Sequence, residues 1–313
     1  MIIFPDIKNL FDLYEKFKSE QWDARDLTYS TSRVTGDMTG DYGPTWLDLN
    51  RLPAIQELSH KEKELFIREH AWYALCTSIE AEDVAARTCA SEAEETPDRD
   101  ARMALAMQVV DETRHFEVGR RILYAKYRDR DYVILPAREK RWKDFLEKDY
   151  LRKLIGLHVI TEGLAMGRFK NREFVSPDPV IREMYRRINL DEARHTALGM
   201  MYLGLKVKHL AAEERKKLED FALERVVEDF HIYTDKMIYD DICRKVGLDS
   251  YDVVQQLHST GLADVVRTEM NRRVMPKLNA LGLLSERLRP KYASQGFRVD
   301  RKTPNTALRR HTT

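Results

Sequence analysis

Asp111-Glu112-Thr113-Arg114-His115 and Asp191-Glu192-Ala193-Arg194-His195 are the same pentapeptide at four of five positions. Chance places two such matches in a chain of this composition with a probability on the order of 10⁻⁵. Residues i and i+3 of a helix lie on one face, one turn apart. Glu112 with His115, and Glu192 with His195, can therefore each present a carboxylate and an imidazole to one point. Their same-face neighbours are Leu105, Val109, Phe116 and Gly119 for the first pair, and Tyr185, Ile188, Leu198 and Gly199 for the second. These faces are mostly apolar, so both pairs point inward, where an unpaired charge costs several kcal/mol. A bound metal cation is one way to neutralise them.

The surrounding chain reads as long helices. The 313 residues include only 13 Gly and 10 Pro, and 34% are charged, a composition that favours helix. A short helical piece, Ile7 to Ser19, precedes a Gly-, Thr- and Asp-rich loop from Thr35 to Pro44. Ser59 reads as the cap of a first long helix reaching about Glu94, which Thr96-Pro97-Asp98 ends. A second helix is expected from about Arg99 to Tyr127, then a crossover from Arg128 to Arg141. A third helix is expected from Trp142 to Phe169. Ser176-Pro177-Asp178-Pro179 stops it and starts a fourth from Val180 to Lys208. Further helices are expected over Ala212 to Val246, Ser250 to Leu262 and Asp264 to Leu281. No strand pattern of comparable strength is present. The fold class is all-α, a four-helix bundle with extra N- and C-terminal helices.

A dinuclear site in such a bundle needs one further carboxylate from each of the other two helices. The third helix offers Glu162, on the face of Ile155, Val159 and Phe169. The first offers Glu80 or Glu82. Glu162 precedes Glu192 by 30 residues and Glu82 precedes Glu112 by 30, whereas Glu80 precedes it by 32. Glu82 also shares its face with Leu75, Ile79, Ala86 and Cys89, so Glu82 is preferred and Glu80 is held in reserve. The expected metal ligands are Glu82, Glu112, His115, Glu162, Glu192 and His195. Four carboxylates with two imidazoles suit iron or manganese, while structural zinc sites favour Cys and His.

On the two repeated motifs, the stretch from about Ser59 to Lys208 resembles the ferritin-like, carboxylate-bridged di-iron oxidases and oxygenases. Relatives of that kind include arylamine N-oxygenases, aryl-CoA epoxidases, acyl-carrier-protein desaturases, bacterial multicomponent monooxygenases and ribonucleotide reductase small subunits. The resemblance implies that Asp111 and Asp191 accept hydrogen bonds from the ligand histidines, and that Arg114 and Arg194 tie down the carboxylates. Gly119 stands where a reductase subunit would carry its radical Tyr, and Ala165 and Met166 stand where many monooxygenases carry Thr. Ile188 occupies the place of a third histidine ligand, while His158, one turn before Glu162, is a further possible ligand or core histidine. The subfamily is left unassigned.

The resemblance also implies two iron ions, with Mn/Fe as the variant, and O2 as co-substrate. The expected function is an oxygenase of the non-haem di-iron monooxygenase type, acting by hydroxylation, epoxidation or N-oxygenation on a small organic or thioester-bound substrate. The alternatives are a di-iron desaturase or oxidase without oxygen insertion, and an iron-storage or peroxide-scavenging bundle. Ile79, Phe116, Met166, Phe169 and Ile188 are expected to wall the site. An external electron donor, a ferredoxin or reductase, is expected because no flavin or nicotinamide fingerprint is present.

Net charge of +1 gives no global field for nucleic acid or an anionic membrane. Cys76, Cys89 and Cys243 form no CxxC, so no disulfide framework is expected, and no membrane span is long enough. A cytoplasmic homodimer is the expectation. Residues 1–290 are expected to form one domain, with the bundle over about 59–208, and 291–313 to form a basic, mobile tail: from Ser285 onward, eight Arg/Lys face Glu286 and Asp300.

Overall fold

The computed structural model describes residues 6–29, 48–128, 130–134, 136–176, 178–231 and 236–299. The described residues are helical and contain no strand. The Thr35–Pro44 loop expectation lies outside them.

Helix α1 (Leu10–Ser19) and the short α2 (Pro53–Gln56) lead into α3 (His60–Glu95), α4 (Arg99–Lys126), α5 (Pro136–Leu146) and α6 (Tyr150–Leu154). A π-helical segment (Ile155–Thr161) runs from α6 into α7 (Glu162–Val175), and α8 (Pro179–Lys206) follows. After it come α9 (Ala212–His231), α10 (Lys236–Val246), α11 (Ser250–Ser259), α12 (Asp264–Arg273), α13 (Met275–Ala280) and α14 (Arg289–Ser294).

The boundaries have local causes. Ser59 accepts from the Glu62 N–H while the Glu62 carboxylate reaches back to the Ser59 N–H, a reciprocal cap that starts α3. Asp98 and Asp178 cap α4 and α8 by accepting from the Ala101 and Val180 N–H groups, with Pro179 in the first turn of α8. Three residues link α3 to α4 and three link α7 to α8, whereas a longer path joins α4 to the third bundle helix. This short, long, short connectivity is that of a ferritin-like four-helix bundle. Helix α3 packs on α4 and α7 on α8, α1 lies across α4 and α8, and α9 and α12 back the π-segment and α7.

Three expectations change. The crossover is itself helical from Pro136, and the third helix does not begin at Trp142. Trp142 belongs to α5, and a new helix starts where Asp149 accepts from the Arg152 N–H. The chain from Asp264 is two helices, because Pro276 has no N–H to donate and stands in the first turn of α13. The packed chain also runs past residue 290, since Tyr292 and Phe297 are buried in the core. An apolar anchor at Phe297 outweighs the basic composition around it.

Candidate metal centre

Glu82 (α3), Glu112 and His115 (α4), Glu162 (first residue of α7), and Glu192 and His195 (α8) meet in the middle of the bundle, all buried. Two sets form. Ligand atoms of Glu82, Glu112, His115 and Glu192 lie within 4.8 Å of one another, and so do those of Glu112, Glu162 and His195. Glu112 belongs to both, with Oε2 3.3 Å from His115 Nδ1 and Oε1 3.0 Å from His195 Nδ1. Glu192 is placed alike, with Oε1 3.7 Å from His115 Nδ1 and Oε2 3.6 Å from His195 Nδ1. Glu82 Oε2 lies 3.7 Å from His115 Nδ1, and Glu162 Oε1 lies 3.9 Å from His195 Nδ1. The arrangement has approximate two-fold symmetry, as a repeated motif would give. Two carboxylates span both imidazoles, and one more flanks each.

The imidazoles are held from behind. His115 Nε2–H donates to Asp191 at 2.9 Å, and His195 Nε2–H donates to Asp111 at 3.3 Å. Each aspartate thus serves the histidine of the other motif, which fixes both tautomers with Nδ1 facing the carboxylates. Arg114 donates to Asp111 and, at 3.2 Å, to Asp191; Arg194 donates to Asp191 and lies 3.6 Å from Asp111. Both arginines are buried, not surface charge. The sequence alone did not reveal the contribution of the chain just after α1. Gln21 donates to Asp111 at 2.8 Å, Trp22 Nε1–H donates to Asp191 at 2.8 Å, and Arg194 donates to Glu20 at 2.6 Å. Phe17 stacks on His195 with ring centroids 5.8 Å apart. Gln108 was also missed: its amide donates to Glu162 at 2.8 Å and to Glu112 at 3.1 Å. Its position one turn before Glu112, on the inward stripe, was a usable signal.

Glu80 is buried but turned away, accepting from Arg138 at 3.2 Å, so it stands outside both sets. His158 pairs through Nε2 with Glu92 at 2.8 Å and turns Nδ1 toward Glu162 Oε2 at 3.6 Å. Its imidazole is therefore placed behind Glu162, where Gly199 makes room: a methyl group there would overlap His158 Cβ. Of the expected walls, Ile79, Met166, Phe169 and Ile188 are buried and Phe116 is partly so.

Charge is concentrated here. Burial raises Glu82 to about 7 even against the opposing pull of His115. Burial likewise raises Glu162 to about 8, against His158 and His195 and with Glu192 and Glu112 adding to the rise. Glu112 goes the other way, since the imidazoles on either side outweigh burial and hold it well below the carboxylate range. Burial would lower His115 and His195, but the surrounding acids raise both well above the ordinary imidazole range. Glu112 Oε2, Glu162 Oε2, Glu192 Oε2 and the Nδ1 atoms of both histidines are buried without a hydrogen-bond partner. Buried polar atoms of this kind ordinarily have partners. Orphaned oxygens and nitrogens converging from α4, α7 and α8, with the Glu82 carboxylate of α3 beside them, fit a pair of divalent cations, whose four charges would balance the four glutamates. The mixed oxygen and nitrogen set suits iron or manganese.

Among the described residues no helix is long and apolar enough to cross a membrane. No family model and no curated protein matches the chain. Among solved structures, it is similar to a variant of an R2-like ligand-binding oxidase with anaerobically reconstituted Mn/Fe cofactor. That match has 17% identity and a TM-score of 0.48, covering 89% of this chain and 94% of the other. A variant with the cofactor reconstituted aerobically gives 15% identity and a TM-score of 0.46, covering 84% and 94%. Likeness at this level leaves the site to be read from its own residues.

Proposed function

We propose that Glu82, Glu112, His115, Glu162, Glu192 and His195 hold two metal ions, a di-iron or Mn/Fe pair, and that the protein is an O2-dependent oxygenase of small organic or thioester-bound substrates. One observation carries this reading: buried ligand atoms of six side chains converge in two sets that share Glu112, and five of the six, all but Glu82, have an oxygen or nitrogen without a hydrogen-bond partner. When bound, such a pair supplies O2 activation and two-electron redox chemistry.

The protein's own residues have separable tasks. Asp111 and Asp191 keep the Nδ1 lone pair of each histidine facing inward. Arg114 and Arg194 balance the aspartates, so the charge behind the histidines stays neutralised when the site fills. Gln108 orients Glu112 and Glu162, and Ile79, Phe169 and Ile188 keep water away from one side. The electrons come from an external ferredoxin or reductase. An iron-storage bundle would need little beyond α3, α4, α7 and α8, whereas here α9, α12 and α13 add a further packed layer.

The test is O2 consumption by the iron-loaded, reduced protein, followed by mass analysis of products from a substrate panel. A product heavier by one oxygen supports insertion, and one lighter by two hydrogens replaces it with desaturation. No O2 uptake above that of free iron overturns the reading.

A further inference from the structure

Ligand-type atoms of Cys89, Glu92 and His158 lie within 4.8 Å of one another and form a third set, sharing no residue with the two of the metal pair. Cys89 and Glu92 stand at i and i+3 on one face of α3. They follow Glu82 by seven and ten residues, about 10 and 15 Å along the helix axis, so the set is displaced toward the C-terminal end of α3. His158 reaches the same place from the π-segment, a distortion frequent at functional positions. All three side chains are at 0% exposure.

Their contacts with one another do not satisfy them. His158 Nε2 and Glu92 Oε2 are 2.8 Å apart, which uses one nitrogen and one oxygen. Glu92 Oε1 and His158 Nδ1 remain buried without a hydrogen-bond partner, where polar atoms ordinarily have one. Lys153, whose charge acts on Glu92, is taken up by Ser91 at 2.6 Å and Glu95 at 3.0 Å. Cys89 packs among Trp142, Phe145 and Leu157, which offer its thiol no charge partner.

The donors differ in kind from those of the pair. Carboxylates and imidazoles suit iron or manganese, whereas a thiolate with one imidazole and one carboxylate suits zinc, which takes sulfur, nitrogen and oxygen in a tetrahedron. Cys89 Sγ, His158 Nε2 and both oxygens of Glu92 supply four donors without a water, and Oε1 gains a partner. Zinc–nitrogen and zinc–oxygen bonds of about 2.1 Å set tetrahedral ligands about 3.4 Å apart, so the 2.8 Å contact opens by only about 0.6 Å. One thiolate and one carboxylate balance the two charges of the ion, which leaves the filled site neutral among apolar neighbours. Burial, then the surrounding carboxylates with Glu92 first, hold the Cys89 thiol well above its ordinary range. Coordination removes that proton outright.

We propose that Cys89, Glu92 and His158 form a mononuclear zinc site that ties α3 to the π-segment, separate from the metal pair. It does not depend on the paired-metal reading and stands even if the pair holds no metal.

The test compares the full chain expressed with zinc and with cobalt(II) as its coloured substitute. Wild type should hold about one zinc per chain more than Cys89→Ala. The cobalt protein should show sulfur-to-cobalt charge-transfer absorption, which reports a coordinated thiolate. Cys89→Ala should lose that absorption, with Cys89→Ser in its place should the former fail to fold, and His158→Gln should weaken or lose it. Glu112→Ala should keep it, because the ion is not held by the pair. Absence of the absorption in wild type overturns the proposal. So does its persistence in Cys89→Ala, which would assign it to Cys76 or Cys243, or its loss in a folded Glu112→Ala. The absorption in a wild type that binds no iron at the pair would overturn only the paired-metal reading.

Discussion

His115 Nε2 lies 2.9 Å from Asp191 Oδ2, so the histidine of the first motif is oriented by the aspartate of the second. The reciprocal contact, His195 to Asp111, closes the exchange at 3.3 Å. The two pentapeptides are therefore two interlocked halves, and neither is complete alone.

Exchange of this kind makes the aspartates matter to metal binding. Asp191→Asn keeps the size of the side chain but removes the charge that His115, Arg114, Arg194 and Trp22 all share. Apparent iron affinity is expected to fall about 10- to 100-fold, as read from competition with a chelator. Affinity within twofold of wild type would show that the tautomer is set elsewhere.

Breaking the support from one side should also be costly. Arg194→Met removes the cation between Asp191 and Glu20 and leaves Asp191 buried with less compensation. Loss of one partner of a buried pair typically destabilises by about 3–5 kcal/mol. Urea unfolding measures it, and a change below about 1 kcal/mol would mean that Arg114 suffices.

Close packing behind Glu162 gives a steric prediction. A methyl group at Gly199 would overlap His158 Cβ on the π-segment, whereas one at Gly119 meets Ile79 Cγ1, part of a side chain that can turn. Gly199→Ala is expected to destabilise by about 1–3 kcal/mol and Gly119→Ala by less. Thermal unfolding of the two variants should show that order, and the reverse order would contradict the packing described.

Acid sensitivity follows from His70. Its value is pushed down from the ordinary 6.5 to about 4, burial being the main cause. As pH falls through 6.5 the unfolded chain takes up the proton first, so this contribution is intact above 6.5 and lost progressively toward 4. The full difference is about 3 kcal/mol. His70→Phe should flatten the fall of stability between pH 7 and pH 4.5 relative to wild type. Parallel stability curves would show that His70 does not stay neutral in the fold.

Much of the bundle and the centre of the site could be read from residues. Ser59 with Glu62, Pro97, and Asp178 with Pro179 mark helix ends through local chemistry, and the observed bounds of α3, α4 and α8 fall within a residue or two of those marks. The spacing that preferred Glu82 over Glu80 agrees with where the helices place them, since Glu82 lies in the cluster and Glu80 pairs with Arg138. Long-range contacts left no such trace. Nothing local in Glu20-Gln21-Trp22 signals that this segment folds back onto Asp111 and Asp191. The crossed pairing of histidines and aspartates depends on how α4 faces α8. The π-segment gave no periodic signal either, because one widened turn shifts the stripe only where it meets Glu162.

Metal stoichiometry tests the central claim most directly. Anaerobic titration of the full chain with ferrous iron, read by bound metal per chain after removal of the excess, should reach about two for wild type and fall below about one for Glu112→Ala. Wild type saturating below about one metal per chain, or Glu112→Ala holding as much as wild type, would contradict a paired-metal site built around Glu112.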